Sequence, residues 1–331
     1  MLLEIRDLSV RFATTGGPLH AVNGISFYVG EGEVLGVVGE SGSGKSVTAH
    51  ALLGLLPENA DISAGEILYG GRSVAAMSSR ELRRYRGSEV GMIFQEPGRS
   101  FDPIYSIGDT LRETILTHEP ELSEVAVRER SLRLLEEVQV PYASERLGGY
   151  PHQFSGGLLQ RIMIALALAA NPKLLIADEP TTALDVTIQA QIIQLLLALK
   201  ASRGLSIIFI SHSLAVVGGV ADRILVMYAG LVLENGGSAA VLGRPRHPYT
   251  RVLIDSHLAF GDHYSKSRLR AIGGTVPDPL HPEPGCPFAP RCPMVTARCR
   301  ERVPEVSSER EDGREHLHRC IFPGVKEAGL A

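Results

Sequence analysis

The sequence predicts an α/β fold built on a mostly parallel sheet, and three observations predict it. The first is the stretch Gly39-Glu40-Ser41-Gly42-Ser43-Gly44-Lys45-Ser46, which fits G-x-x-x-x-G-K-[ST] at every fixed position. It lies between an apolar, strand-like run, Glu33–Val38, and a helical pattern, Val47–Leu56, with apolar residues at Val47, Ala51, Leu52 and Leu55. The second is a series of three later apolar runs, Leu174–Asp178, Ser206–Ser211 and Arg223–Met227, the first two separated by a helical stretch, Thr187–Ser202. Strands alternating with helices argue for parallel pairing. The third is bulk: 331 residues with 44% hydrophobic content supply a substantial core for one large or two unequal domains.

Taken in order, residues 2–10 and 24–29 read as short strands, Phe12 closes the first, and Thr14-Thr15-Gly16-Gly17-Pro18 is a turn between them. Residues 58–95 continue with short β segments, including Gly65–Gly71 and a buried strand Val90–Phe94 that ends at Gln95-Glu96-Pro97. From about 106 to 170 the pattern is helical. Val125, Val127, Leu132, Leu135 and Val138 share one face of a helix over Glu124–Val138, and Ser155 caps a helix running to about Ala170. Tyr228-Ala229-Gly230-Leu231 is a hairpin turn into a last strand ending at Glu234. Beyond about 243 the composition shifts toward Pro, Arg and His. Residues 273–293, rich in Pro and Gly, read as an irregular appendage rather than a continuing sheet. There is no internal repeat.

A net charge of −4 argues against a broad basic surface, so no nucleic-acid partner is expected. Glu4, Arg6 and Asp7 interrupt any leader-like apolar run at the start. The longest apolar runs, such as Ile162–Ala170, are too short to span a bilayer. A cytoplasmic chain is expected, any membrane role falling to partner subunits. All four cysteines come after residue 285, and in a reducing compartment they are not expected to pair as disulfides.

The chemistry begins at the glycine-rich loop. Its glycines let the backbone wrap an anion, and the unpaired N–H groups of the loop and helix start point at phosphate. Lys45 adds a charge that reaches the β- and γ-phosphates, and the Ser46 hydroxyl can hold Mg²⁺. Leu174-Leu175-Ile176-Ala177-Asp178-Glu179 is an apolar strand ending in two carboxylates: Asp178 can hold Mg²⁺, and Glu179 can take a proton from an attacking water. Phe154-Ser155-Gly156-Gly157-Leu158 provides a second phosphate-binding helix start. One nucleotide does not need two such termini from one chain, but two copies facing each other would give each nucleotide one loop and one Ser-Gly-Gly. Taken alone, each stretch has a plain structural reading: a Gly/Ser linker, a polar strand end, a helix cap.

In this order the motifs resemble those of ATP-binding subunits of ABC transporters: the phosphate loop, Gln95, Ser155-Gly156-Gly157, Asp178-Glu179, Ala183-Leu184-Asp185, then His212. The resemblance covers roughly residues 1–240. It implies a P-loop NTPase cassette with a RecA-like core, an antiparallel β subdomain and an α-helical subdomain at about 97–170, within a cassette spanning 1–243. It further implies that Gln95 senses Mg²⁺ and the water, Asp185 lies in a loop crossing to the partner ATPase, His212 contacts the γ-phosphate, and Phe12 stacks on adenine. Gly39, Ser41, Gly42, Ser43, Gly44, Lys45 and Ser46 would bind ATP with Ser155, Gly156 and Gly157 of a facing subunit. Two positions depart from the pattern: Leu158 stands where Gln is usual, and Ser213 where Asp often follows the His.

Further stretches resemble oligopeptide and dipeptide importers, a pattern nickel importers largely share. These are Arg246-His247-Pro248-Tyr249-Thr250, Phe94-Gln95-Glu96-Pro97 followed by Phe101-Asp102-Pro103, and the tail Gly285–Pro293 within an extension over 244–331. Cys286, Cys292, Cys299 and Cys320 are spaced C-x5-C-x6-C-x20-C, which matches neither a zinc finger nor the bacterial ferredoxin run. Four thiols gathered in an otherwise cysteine-free chain suggest a metal centre. The resemblance implies a [4Fe–4S] cluster, structural or redox-sensing; zinc and buried free thiols are the alternatives. His316 and His318 are alternative ligands or surface residues.

The resemblance implies an ATPase at the cytoplasmic face of the inner membrane. It would power import through two permease subunits, with a second, different ATPase subunit and an extracytoplasmic binding protein. Soluble ABC ATPases acting on DNA usually insert long coiled coils, and those acting on ribosomes carry two cassettes in one chain; neither feature appears in these residues. A non-catalytic nucleotide switch would not need Glu179, and a P-loop kinase would leave Ser155-Gly156-Gly157 unexplained.

Overall fold

The computed structural model describes residues 1–182, 184–256, 273–311 and 313–322. In chain order the elements are β1 (Leu3–Thr14), β2 (Gly17–Val29), β3 (Val34–Val38), α1 (Lys45–Leu52), β4 (Ala60–Tyr69), β5 (Arg72–Ser73), α2 (Ser79–Arg84) and β6 (Val90–Ile93). A helical stretch comes next: α3 (Pro97–Ser100), α4 (Ile107–His118), α5 (Glu124–Glu137), α6 (Ala143–Arg146) and α7 (Gly156–Leu168). Then come β7 (Leu174–Asp178), α8 (Val186–Arg203), β8 (Ser206–Ser211), α9 (Leu214–Gly218), β9 (Arg223–Tyr228), β10 (Leu231–Gly237), α10 (Ser238–Gly243) and α11 (Pro248–Asp255). The last elements are α12 (Ala297–Glu301), β11 (Ser307–Glu311) and β12 (Arg314–His318).

Two compact units form. The first contains the described residues of 1–29, 34–75 and 210–331; the second contains those of 30–33 and 76–209. In the first unit β2, β1, β4 and β5 make an antiparallel sheet in that order. Both strands of the first hairpin run further than the sequence pattern predicts: β1 continues to Thr14, and its partner β2 begins at Gly17, because the Thr15-Gly16 turn is tighter than a five-residue loop. The unit's other sheet runs β11, β12, β10, β9, β3. Here β3 and β9 are parallel, with Gly36 opposite Ile224, and both are buried along their whole length. Continuous burial of this kind is what an apolar run without alternation encodes.

The irregular appendage expected over 273–293 is indeed without strands, but the residues after it return to the sheet. β12 pairs with β10 through Glu234 opposite His318 and Asn235 opposite Leu317, and β11 pairs with β12.

In the second unit, β6 and β7 are parallel, Ile93 facing Ala177, and β8 lies next to β7. β7 is wholly buried. Helices α4, α5 and α7 pack together through Ile107, Leu111 and Ile115, Val127, Leu134 and Leu135, and Ile162 to Ala165. Helix starts here obey ordinary capping rules: Ser106 accepts from Asp109 N–H in a capping box, and Ser123 accepts from Ala126 N–H. α2 carries the same device, Ser78 with Glu81, inside a segment whose pattern reads as β.

Candidate functional site

The phosphate loop closes between β3 and α1, as the motif predicts. Gly42 and Gly44 have φ of 77° and 98°, a region that strains any other residue. A Cβ at Gly39 would lie 2.2 Å from Met227 O of β9, so the loop is packed against its neighbour strand. Lys45 is buried, and its ammonium donates to Gly39 O and Glu40 O, each at 2.8 Å, and to Ser43 Oγ at 3.2 Å. Those bonds fold the loop around the lysine. The first turn of α1 holds no acidic residue that would compete with a bound anion. Ser41 and Gly42 are exposed and Ser46 is half-buried.

Phe12 lies in the same unit on β1, opposite Leu19 of β2 and Ala60 of β4, and is half-buried. His212, also in this unit, is exposed between β8 and α9.

The second unit holds the carboxylates. Asp178 ends β7 and is 3% exposed. Glu179 comes next at φ 46°, a left-handed backbone that a glutamate adopts only when its surroundings impose it. Its Oε2 accepts from Gln95 Nε2 at 3.2 Å and from Thr182 Oγ1 at 2.7 Å. Strand register sets up the first bond: two residues beyond the Ile93–Ala177 pair, parallel chains bring Gln95 and Glu179 level. Thr182 is a partner that no sequence motif singles out. Its place three residues after Glu179, in the turn bonded Thr182 N–H to Glu179 O, is the signal that could have found it.

Ser155 is the N-cap of α7 in extended conformation, yet its side chain makes no cap bond. The caps Ser78, Ser106, Ser123, Asp185 and Ser213 all do. Ser155 and Gly156 are exposed, and the first turn of α7 has no acid. This helix start is therefore open to an anion. A Cβ on Gly157 would meet Ile188 Cγ2 at 2.8 Å, while one on Gly156 would meet only Leu184 Cδ2, at 3.7 Å. Gly157 is thus required by the packing of α8 on α7. Asp185, exposed, caps α8 by accepting from Ile188 N–H at 2.9 Å. Ala183 lies outside the described residues.

The histidine–proline–tyrosine segment has a definite role in the first unit. His247 is buried and caps α11, its Nδ1 accepting from Tyr249 N–H at 3.0 Å. Burial, with His318 adding to it, pushes the His247 pKa down to about 3. The imidazole is therefore neutral, with its proton on Nε2. The backbone N–H groups of Arg246 and His247 donate to the fully buried Glu234 carboxylate at 2.8 and 2.9 Å. This places Tyr249, also buried, so that its hydroxyl accepts from Glu40 N–H in the phosphate loop at 3.0 Å.

All four cysteines are free thiols and line one small cavity of about 20 Å³ with His247, Ala289 and Phe322. Burial is the main cause that pushes Cys286 and Cys320 up to about 11 and raises Cys292, with neighbouring thiols contributing. Protons must leave before these sulfurs can bind a cation. Four sulfurs and no carboxylate suit a thiophilic metal or cluster. Their present spacing, however, does not make a coordination shell: among the described residues no group of three His, Cys, Asp or Glu is placed to hold a metal ion. The expectation of surface histidines is corrected: His316 and His318 are 1% and 2% exposed, because both sit on β12 against β10. His316 is committed to Glu234, Nε2 to Oε1 at 2.7 Å, and neither ring lines the thiol cavity. Among the described residues no helix is long and apolar enough to cross a membrane.

Known proteins share both parts of this architecture. The model of the ABC transporter family matches residues 22–182, and that of the oligopeptide/dipeptide transporter C-terminal region matches 233–299. A model described as an AAA domain, putative AbiEii toxin, Type IV TA system, matches 150–218. The dipeptide transport ATP-binding protein DppD of Escherichia coli (strain K12) is 44% identical over 328 residues, 99% of this chain and 98% of that one. The oligopeptide transport ATP-binding protein OppD of Bacillus subtilis (strain 168) is 47% identical over 291 residues, 88% of this chain and 81% of that one. Among solved structures, the dimeric, post-hydrolysis ATP-binding cassette MJ0796 bound to ADP and Pi is similar at a TM-score of 0.62 and 26% identity, over 70% of this chain and 96% of that one.

Proposed function

Because the chain belongs to the ATP-binding proteins of the oligopeptide/dipeptide ABC transporters, we propose that its ATP hydrolysis powers peptide import through two membrane permease subunits. The observation that carries the catalytic part is Glu179, held beside Gln95 and Thr182 at the end of a buried strand. Glu179 accepts the proton of the attacking water, and Gln95 orients it. Lys45 and the loop N–H groups neutralise charge on the phosphates. By the family pattern, Ser46, Asp178 and Gln95 would supply oxygen donors to Mg²⁺, whose charge would add to the neutralisation. Phe12 stacks on the base and His212 reaches the γ-phosphate.

The uncapped Ser155, with Gly156 and Gly157, closes over the triphosphate of a facing ATPase subunit, and Asp185 meets that subunit. The related cassette MJ0796 is dimeric in its solved structure. The partner here is a second, different ATPase subunit. An extracytoplasmic binding protein delivers the peptide, and the chain works peripherally at the cytoplasmic face of the inner membrane. Residues 1–243 form the cassette, with the helical subdomain at about 97–170, and 244–331 form the extension. Within it Cys286, Cys292, Cys299 and Cys320 are assigned to a [4Fe–4S] cluster, an assignment supported by their shared cavity. Zinc on the same four thiols is the second reading, because four cysteines are a usual structural zinc set.

The test is uptake by vesicles carrying the permeases and both ATPase subunits. ATP-dependent uptake of di- or oligopeptides, lost in Glu179→Gln, is the expected result. Nickel uptake without peptide uptake would overturn the substrate class, and full turnover in Glu179→Gln would overturn the base.

A further inference from the structure

Glu40 puts a carboxylate inside a loop built to bind anions, and nothing in the motif requires it. Its three polar groups are all engaged. The backbone N–H donates to Tyr249 Oη at 3.0 Å, the backbone O accepts from Lys45 Nζ at 2.8 Å, and carboxylate Oε2 accepts from Arg291 Nη1 at 2.9 Å. Two of the three partners lie more than 200 residues further along the chain, in the segment after the last strand of the cassette.

Arg291 is built in as firmly as a core residue. Its side chain is 4% exposed, Nη1 also donates to Tyr228 Oη at 3.0 Å, and Nε donates to Gly273 O at 2.8 Å. Tyr228, Tyr249 and Phe288 pack ring against ring beneath it, with centroids 4.7 to 5.5 Å apart. The other carboxylate oxygen, Glu40 Oε1, is buried with no hydrogen-bond partner among the described residues. An unneutralised carboxylate there would repel a triphosphate.

We propose that Arg291 is a positioning residue of the nucleotide site: it neutralises Glu40 and holds it aside, so that the loop presents N–H groups and Lys45 to the triphosphate. The extension thereby sets the affinity of a site that lies outside it. This rests on reading 39–46 as the ATP loop. A purely structural arginine would pin the extension to the core and leave ATP affinity indifferent to the charge on Glu40. The two roles differ in one respect: whether removing the Glu40 charge repairs the loss of Arg291.

The experiment measures KM for MgATP and kcat in the assembled transporter. Arg291→Met raises KM roughly tenfold, with kcat within about twofold. Adding Glu40→Gln to Arg291→Met brings KM back to within about twofold of wild type. An unchanged KM in Arg291→Met, or no rescue by Glu40→Gln, overturns the proposal. If Arg291→Met does not assemble, Glu40→Gln alone decides. Its amide oxygen keeps the bond from Arg291, its NH₂ replaces the unpartnered oxygen, and KM falls roughly threefold because the arginine charge is no longer offset. An equal or higher KM overturns the proposal. Lys45→Ala serves as the separate control: wild-type turnover there would remove the ATP-loop reading itself, whatever Arg291 does.

Discussion

Gln95 Nε2 donates to Glu179 Oε2 at 3.2 Å, and the two residues reach each other because β6 and β7 run parallel with Ile93 opposite Ala177. Both residues lie just past the ends of their strands, two positions beyond that pair. The left-handed backbone at Glu179 then turns the carboxylate toward Thr182 as well.

Glu179→Gln keeps this geometry and removes the base. ATP hydrolysis should fall by about two orders of magnitude or more, with nucleotide binding retained. Gln95→Ala leaves Thr182 in place and should cost about tenfold. Phosphate release and equilibrium nucleotide binding check both.

The two signature glycines should separate stability from function. Gly157→Ala drives a methyl into Ile188 and should destabilise the fold by about 1–3 kcal/mol. Gly156→Ala meets only ordinary contact and should stay within about 0.5 kcal/mol of wild type while losing turnover. Thermal melting beside ATPase assays distinguishes them.

The contrast between these two glycines shows what was legible in the sequence. The motif marks both residues as phosphate binders, but only the packing of α8 on α7 gives Gly157 its steric reason. The buried strands β3, β7, β8 and β9 were readable because unbroken apolar runs have few other uses. Strand β12 was not. Its residues Arg314 to His318 are mostly polar, and they pair because Glu234 accepts from His316, a contact 82 residues distant. The capping box at Ser78 is spelled out in the sequence, but it sits in a segment whose other residues read as β. Tyr249 stands out through its family pattern; its bond to Glu40 depends on the fold.

Asp185 has a capping role that must be removed before any partner role is tested. Asp185→Ala should cost about 1 kcal/mol through the lost bond to Ile188 N–H, whereas Asp185→Asn should keep the cap. Urea unfolding checks the stability. A turnover loss in Asp185→Asn at wild-type stability then reports the subunit interface.

His118 gives the second unit a pH dependence. Its pKa is lowered mainly by burial, with Arg130 adding and Glu119 opposing. The folded state thus holds the ring neutral, while the unfolded chain takes up a proton below its ordinary value of about 6.5. This contribution is complete above that value and is lost as pH falls toward the lowered folded pKa. His118→Asn should flatten the decline in urea midpoint between about pH 7.5 and 5.5.

The proposed cluster assignment has a direct test. On that reading, anaerobically isolated protein carries iron and acid-labile sulfide in equal amounts, and Cys286→Ser loses both. Zinc at one per chain without sulfide would decide for the second reading. Because burial raises the pKa of Cys286, Cys292 and Cys320, and a sulfur must lose its proton to bind, loading of either should weaken as pH falls.

The pairing of β10 with β12 has a consequence during synthesis. Glu234 must wait for His316, 82 residues later, and at about 5–20 residues per second the interval is roughly 4–16 s. Throughout it the nascent cassette displays a bare strand edge and a carboxylate destined for full burial. A ribosomal pause placed before residue 316 would lengthen the exposure.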